Sequence, residues 1–98
     1  MDIQKSIRMA SDTGSVLLGH NSSVQSINQS KPKIVLIAKN VSQDVMIDIT
    51  KKCKLAEVPY YIFEGTSMEL GSICGKPYPI SVMSVLEEGD SDILNLLK

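Results

Sequence analysis

Apolar residues recur along this chain at helical and strand periods in alternation. Ile3, Ile7 and Ala10 are spaced four and three apart, which predicts a helix over residues 2–12. Asp12-Thr13-Gly14 ends it, with Gly14 expected in the left-handed region just past the helix. Ser15-Val16-Leu17-Leu18 reads as a short strand. Gly19-His20-Asn21-Ser22 then opens a second helix, with Asn21 or Ser22 as its cap and Val24 and Ile27 turned inward. Gln29 to Pro32 is a loop, because Pro32 has no N–H to donate and disfavours helix at Lys31.

Lys33-Ile34-Val35-Leu36-Ile37-Ala38 is continuously apolar after its first residue and rich in β-branched side chains, as in a central strand buried on both faces. After the loop Lys39 to Ser42, the positions Val45, Ile49 and Cys53, with Lys54-Leu55 continuing them and Met46 beside them, predict a helix over 43–56. Pro59 to Phe63 is a second strong strand. Thr66 and Glu69 have capping-box spacing for a short helix over 67–72 that Gly71 limits. Ile80 to Leu86 is a third strong strand, and a last helix over 91–97 turns Ile93, Leu94 and Leu97 inward. No internal repeat or low-complexity linker interrupts the series. The alternation predicts one domain over residues 1–98, a three-layer α/β/α sandwich around a mixed sheet of about four strands. Parallel neighbours in that sheet are expected to be joined by right-handed helical crossovers.

Composition narrows the function more by exclusion than by indication. Ile34 to Ala38 is the longest apolar run, far short of the ~18–20 residues of a membrane helix. The start, Met1-Asp2-Ile3-Gln4-Lys5, lacks a signal-peptide layout, so a cytosolic location is expected. Cys53 and Cys74 are distant from one another and read as reduced thiols. With two Cys and one His at no ligand spacing, no metal site is expected. One Phe and no Trp leave an aliphatic core. A formal net charge of −1 argues against a nucleic-acid binder. The charge is uneven, however. Residues 1–60 hold eight Lys/Arg and five Asp/Glu, residues 61–98 two and six, and six of the basic residues fall between Lys31 and Lys54.

Reactive constellations are missing. His20 is the one histidine, the serines sit in no G-x-S-x-G elbow, and Gly75-Lys76 is followed by Pro77 rather than the Ser or Thr of a phosphate-binding loop. The carboxylates Glu87, Glu88, Asp90 and Asp92 stand next to an expected helix start, where capping and solvation account for them. No enzyme activity and no cofactor are expected.

Several stretches together resemble one family. They are Asp12-Thr13-Gly14 with Leu18-Gly19, Lys33 to Asn40, Pro59 to Gly71 with its E-G-T-S-x-E-L-G core, Cys74-Gly75-Lys76-Pro77, and Gly89-Asp90-Ser91-Asp92-Ile93-Leu94. In this order they resemble the archaeal and eukaryotic large-subunit ribosomal protein L-thirty-e, in the superfamily of kink-turn RNA binders typified by L-seven-Ae. The resemblance covers essentially the whole chain. It implies an α/β/α fold and a structural role in the large ribosomal subunit of the cytoplasm. The implied partners are a kinked internal loop of large-subunit rRNA, neighbouring ribosomal proteins and the small subunit across the interface.

Family members face RNA with three loops, and these carry over position by position. The first is Gly19, His20, Asn21 and Ser22. Gly19 lets backbone approach RNA, and the helix start offers N–H groups to phosphate. Asn21 stands where the family commonly has Lys, so a charge is lost there; simple capping accounts for Asn21 and Ser22 equally well. The second is Lys39-Asn40, where the amide contacts a nucleotide at the kink and Lys39 neutralises phosphate. A turn role also suits Asn40. The third is Tyr78-Pro79-Ile80, an aromatic and a β-branched residue against unstacked bases, or else loop packing and the first core residue of a strand. Gly65 and Thr66 shape a neighbouring loop. Lys31 and Lys33 are further phosphate contacts or solvated lysines. The alternative reading is a kink-turn binder of a small guide-RNA or RNase P particle, against which Ser22 and Ser23 stand after Asn21 where that branch has G-x-N-E. A protein-interaction module of similar fold is a third reading. With Asn21 in place of a Lys and an acidic C-terminal third, binding is expected to lean on shape, stacking and the helix start.

Overall fold

The computed structural model describes residues 3–29 and 31–94. Along the chain the elements are α1 (Ile3–Thr13), β1 (Ser15–Leu18), α2 (His20–Gln29), β2 (Ile34–Ala38), α3 (Gln43–Ala56), β3 (Tyr60–Phe63), α4 (Ser67–Ile73) and β4 (Val82–Glu87). The sheet order is β1-β4-β2-β3. β2 runs parallel to β3, with Val35 opposite Tyr60 and Ala38 opposite Phe63. β4 lies antiparallel to β2, with Ile37 opposite Val82, and to β1, with Leu18 opposite Met83. The mixed four-strand sheet expected from the pattern is therefore present.

All five residues of β2 have no exposed surface. Successive strand side chains point to opposite faces, so this one strand feeds both halves of the core. Ile34, Leu36 and Ala38 join Met83 and Val85 against Ile7, Ala10 and Leu70 of α1 and α4. Val35 and Ile37 join Val82 against Ile27, Ile49 and Cys53 of α2 and α3. α1 packs on α4, and α2 on α3, giving three layers. Each fully buried Val, Ile or Leu contributes about 1.5–3 kcal/mol relative to exposure, and β2 holds four of them. Both cysteines are free and buried. Burial pushes the Cys53 thiol up to about 11 and raises Cys74 as well.

Local signals set the helix ends. Ser42 caps α3 by accepting from Val45 N–H at 3.3 Å, and Glu57 closes it at φ 59, in the left-handed region. Thr66 caps α4 by accepting from Glu69 N–H at 3.2 Å, as its spacing with Glu69 indicated. The stripe of α3 ends earlier than expected: Leu55 is 77% exposed, because it lies two residues, about 200°, around the helix from Cys53.

Two glycines have tertiary roles in place of the expected punctuating ones. Gly14 is absent from the positive-φ residues. A side chain there would place Cβ 2.1 Å from the carbonyl oxygen of Glu87, so Gly14 exists to let β4 pass. Gly71 does not limit α4, which continues to Ile73; its Cβ would lie 2.0 Å from the Tyr78 carbonyl oxygen. The third strong strand also starts later than expected, at Val82, with Ile80 and Ser81 leading into it.

The G-D-S-D-I stretch is a clasp on α1. Gly89, at φ +61, lies against Thr13, whose Oγ1 accepts from Asp90 N–H at 2.9 Å. Ser91 Oγ donates to the Ser6 carbonyl, Ser6 Oγ donates to Asp92, and Ile93 is fully buried. Of the helix expected over 91–97, Ile93 and Leu94 begin a short helical turn, and Leu97 lies outside the described residues. No helix among the described residues is long and apolar enough to cross a membrane.

Candidate nucleic-acid interface

The sheet topology gathers three of the expected loops. β1, β2 and β3 all finish at one end of the sheet, and β4 begins there, because it is antiparallel to β1 and β2. Direct backbone bonds join the loops at that end. Gly19 N–H donates to Val82 C=O at 2.8 Å, Ala38 N–H to Ser81 C=O at 2.8 Å, and Lys39 N–H to Gly65 C=O at 3.2 Å. Residues 19–22, 39–40, 65–66 and 78–81 therefore form one continuous rim. α2, α3 and α4 each start at this rim, so three positive dipole ends face the same way, with side chains capping one N–H of α3 and two of α4. The first turns of α3 and α4 carry Asp44 and Glu69, whereas the first turn of α2 carries no acid.

At the α2 corner, Gly19 has φ +106 and open space around its missing Cβ, so the backbone conformation, not crowding, requires glycine. The helix begins at His20, one turn position earlier than expected. Asn21 and Ser22 thus lie inside its first turn instead of capping it, and the Gly19 carbonyl accepts from Ser23 N–H at 3.1 Å. Asn21 is exposed and Ser22 half-buried. His20 Nε2 sits 3.0 Å from Asp48 Oδ2 on α3.

At the middle of the rim, Asn40 is exposed, and its Oδ1 accepts from Ser67 N–H at 2.8 Å. Its amide nitrogen carries two further donors. The Lys39 ammonium is 3.5 Å from Glu64, both side chains mostly exposed, a pair worth little. At the third corner, residues 78–80 run along α4. The Tyr78 carbonyl fits over Gly71, and Ile80 N–H donates to Ser67 C=O at 3.0 Å. Tyr78 is 50% exposed and Pro79 exposed, leaving an aromatic face available. Met68, 58% exposed in the first turn of α4, borders this corner and was not marked by any sequence signal.

Three expected residues depart from the rim. Ile80 is 1% exposed and belongs to the core cluster with Leu36 and Met83, so its side chain offers no surface to a base. Lys31 and Lys33 precede β2 and stand at the opposite end of the sheet. Six residues of extended chain, roughly 20 Å, separate Lys33 from Lys39. Lys33 is also engaged, 3.1 Å from Glu87 and 3.2 Å from Glu88, which raises its pKa through those hydrogen bonds and holds Glu88 lower. Sequence proximity to Lys39 suggested one basic cluster; the intervening strand splits it. Asp48 was missed because its contact with His20 spans 28 residues.

Comparison with known proteins gives a consistent outcome. The model of the "Ribosomal protein L7Ae/L30e/S12e/Gadd45 family" matches residues 1–95. A protein of Methanosphaera stadtmanae named "Large ribosomal subunit protein eL30" is 48% identical over 98% of this chain and 98% of its own length. Proteins of the same name from Methanococcus vannielii and Methanopyrus kandleri are 49% and 41% identical, over 98% and 95% of this chain and 91% and 85% of their own lengths.

Proposed function

We infer the function from one premise: the chain belongs to the ribosomal protein L7Ae/L30e/S12e/Gadd45 family. It is a structural constituent of the large subunit of the cytoplasmic ribosome, not an enzyme, with rRNA and ribosomal proteins as partners. Beyond that premise, we propose that it acts as a single RNA-binding domain on a kink-turn or asymmetric internal loop of large-subunit rRNA, through the rim at the C-terminal ends of β1, β2 and β3.

The observation that carries this reading is the meeting of Gly19 to Ser22, Lys39 and Asn40, and Tyr78 and Pro79 under three helix N-termini. The helix starts suit phosphate oxygens. The Asn40 amide suits a base edge, and the exposed Tyr78 ring suits an unstacked base. Contact with the small subunit across the interface belongs to the same proposal and is read by crosslinking in whole ribosomes.

Gel-shift titration against a kink-turn RNA and an unkinked duplex of equal length tests the proposal. Tighter binding to the kinked RNA is expected; equal affinity for both sinks it. Co-sedimentation with large subunits distinguishes the ribosomal role from service in a small ribonucleoprotein, which predicts a pool of light particles instead.

A further inference from the structure

The rim is rich in hydrogen-bond donors: the N–H groups at the start of α2, those of α3 and α4 that their caps leave free, the Asn40 amide and the Lys39 ammonium. One residue supplies the opposite chemistry. His20, the first residue of α2, places Nε2 3.0 Å from Oδ2 of Asp48 on α3, while Asp48 Oδ1 receives the ammonium of Lys52. Both carboxylate oxygens are thus engaged. The Lys52 ammonium first, and His20 second, hold the Asp48 carboxyl below its ordinary range. Near neutral pH Asp48 is therefore an anion and can only accept hydrogen bonds. The shared hydrogen has to sit on His20 Nε2. In a neutral imidazole the other nitrogen, Nδ1, is then a bare acceptor, and no partner for it exists among the described residues.

We propose, resting on the RNA-binding reading above, that Asp48 is a positioning residue that fixes His20 in its Nε2–H form, so that Nδ1 accepts a hydrogen bond from an O–H or N–H donor of the bound RNA. Phosphate oxygens cannot supply such a donor. A ribose 2′-hydroxyl or an exocyclic base amino group can, and the 2′-hydroxyl is the group that separates RNA from DNA. The His20 and Asp48 side chains are 35% and 38% exposed, so the ring is held at its Nε2 edge yet open to a partner. Asp48 and Lys52 thereby turn the start of α2 from a phosphate cradle alone into a reader of hydroxyl or amino groups.

The test uses the full chain. Two-bond proton–nitrogen spectra of the imidazole assign the ring tautomer directly, with the Nε2–H form expected. In Asp48→Asn the amide is able to donate to Nε2, which moves the ring proton to Nδ1 and replaces the acceptor with a donor. Affinity for a kink-turn RNA is expected to fall roughly 3- to 10-fold in Asp48→Asn and in His20→Ala. The double variant is expected to bind no worse than His20→Ala alone. His20→Gln, which offers an acceptor with no tautomer to set, is expected to recover part of the loss and to ignore Asp48→Asn. Lys51→Ala, on the exposed side of α3, serves as the unchanged control. RNAs with single 2′-deoxy positions, or with single base amino groups removed, identify the donor: the substitution that weakens the unaltered chain but not His20→Ala marks it. An Nδ1–H ring in the unaltered chain overturns the inference, as does Asp48→Asn binding like the unaltered chain while His20→Ala is weak. If Asp48→Asn fails to fold, the tautomer spectrum and the His20→Gln against His20→Ala comparison decide. A chain that shows no preference for the kinked RNA removes the RNA reading and this inference with it, and the tautomer spectrum still reports whether Asp48 sets the ring.

Discussion

Asn40 holds two duties that a pair of substitutions separates. Its Oδ1 accepts from Ser67 N–H at 2.8 Å and so pins the exit of β2 to the start of α4, while its amide nitrogen is the donor proposed for RNA. Thr66 serves Glu69 N–H, so two of the four free N–H groups of α4 are satisfied by side chains. A net hydrogen bond contributes about 0.5–1.5 kcal/mol, and at this exposed position water replaces the lost acceptor, which puts the Asn40 contribution at about 0.5–1 kcal/mol. In a domain of this size 1 kcal/mol shifts Tm by about 4–8 °C, so Asn40→Ala should lower Tm by roughly 2–8 °C. Asn40→Asp keeps the acceptor and puts an anion at a helix N-terminus, so its Tm should equal or exceed that of the unaltered chain. RNA affinity should follow a different order. Both variants lose the amide donor, at about 1–3 kcal/mol for a base contact, and Asp adds repulsion from phosphate. Stability therefore ranks Asp, Asn, Ala, and affinity ranks Asn, Ala, Asp. Thermal melts by circular dichroism and gel-shift titration at fixed salt read the two series. Equal Tm losses in both variants would refute the capping argument. An Asn40→Asp protein that binds as well as the unaltered chain would refute the amide contact.

Four further outcomes follow from the geometry. Gly71→Ala drives Cβ to 2.0 Å from the Tyr78 carbonyl oxygen, and backbone has to yield; a loss of about 2–3 kcal/mol in urea unfolding is expected, and a neutral change would contradict the packing. Tyr78→Ala should weaken RNA binding by about 1–3 kcal/mol with little change in Tm, because half of the residue is exposed; undiminished affinity would remove stacking from the interface. Lys33→Met should leave both affinity and salt slope unchanged, since Lys33 pairs with Glu87 and Glu88 at the far end, whereas Lys39→Met should reduce the salt slope by about one. Burial raises Cys53 from 9.0 to about 11, so the folded chain keeps this proton more firmly than the unfolded one. The associated stability is complete below about pH 9 and disappears as pH climbs through about 11; Cys53→Val should flatten that part of the stability profile, and an unchanged slope would count against the assignment.

The architecture was legible because its signals are local and strong. The Ile34 to Ala38 run, the β-branched strand ends and the Thr66–Glu69 spacing all depend on near neighbours, and each element they indicated is present within a residue or two. The errors share one cause, which is tertiary contact. Gly14 and Gly71 looked like helix punctuation, yet the atoms that demand glycine belong to Glu87 and Tyr78, in the first case over seventy positions distant. Ile80 is apolar in any reading, and only its packing with Leu36, Leu70 and Met83, from three different elements, decides that it faces the core. Lys31 and Lys33 are near Lys39 in number and far from it in space, because a strand is the most extended way to connect two points. The partnership of His20 and Asp48 leaves no periodic trace at all.

The place of β4 has a consequence for the order of events during synthesis. Among the described residues the last strand to be made lies in the interior of the sheet, between β1 and β2, and β1 has no other strand beside it. Residues 78–82 also supply the carbonyls that receive Gly19 and Ala38 and the segment that seats on α4. A nascent chain that stops short of residue 78 therefore keeps the Lys39–Gly65 and Asn40–Ser67 links but has no strand to tie the loop after β1 to them. Non-local strand pairing of this kind is also slow to form and comes after local helices. The proposed RNA-binding end thus comes into being only once residues 78–82 have been translated and paired. Copies terminated before residue 78 are therefore expected to lack the assembled rim and to bind the same RNA weakly.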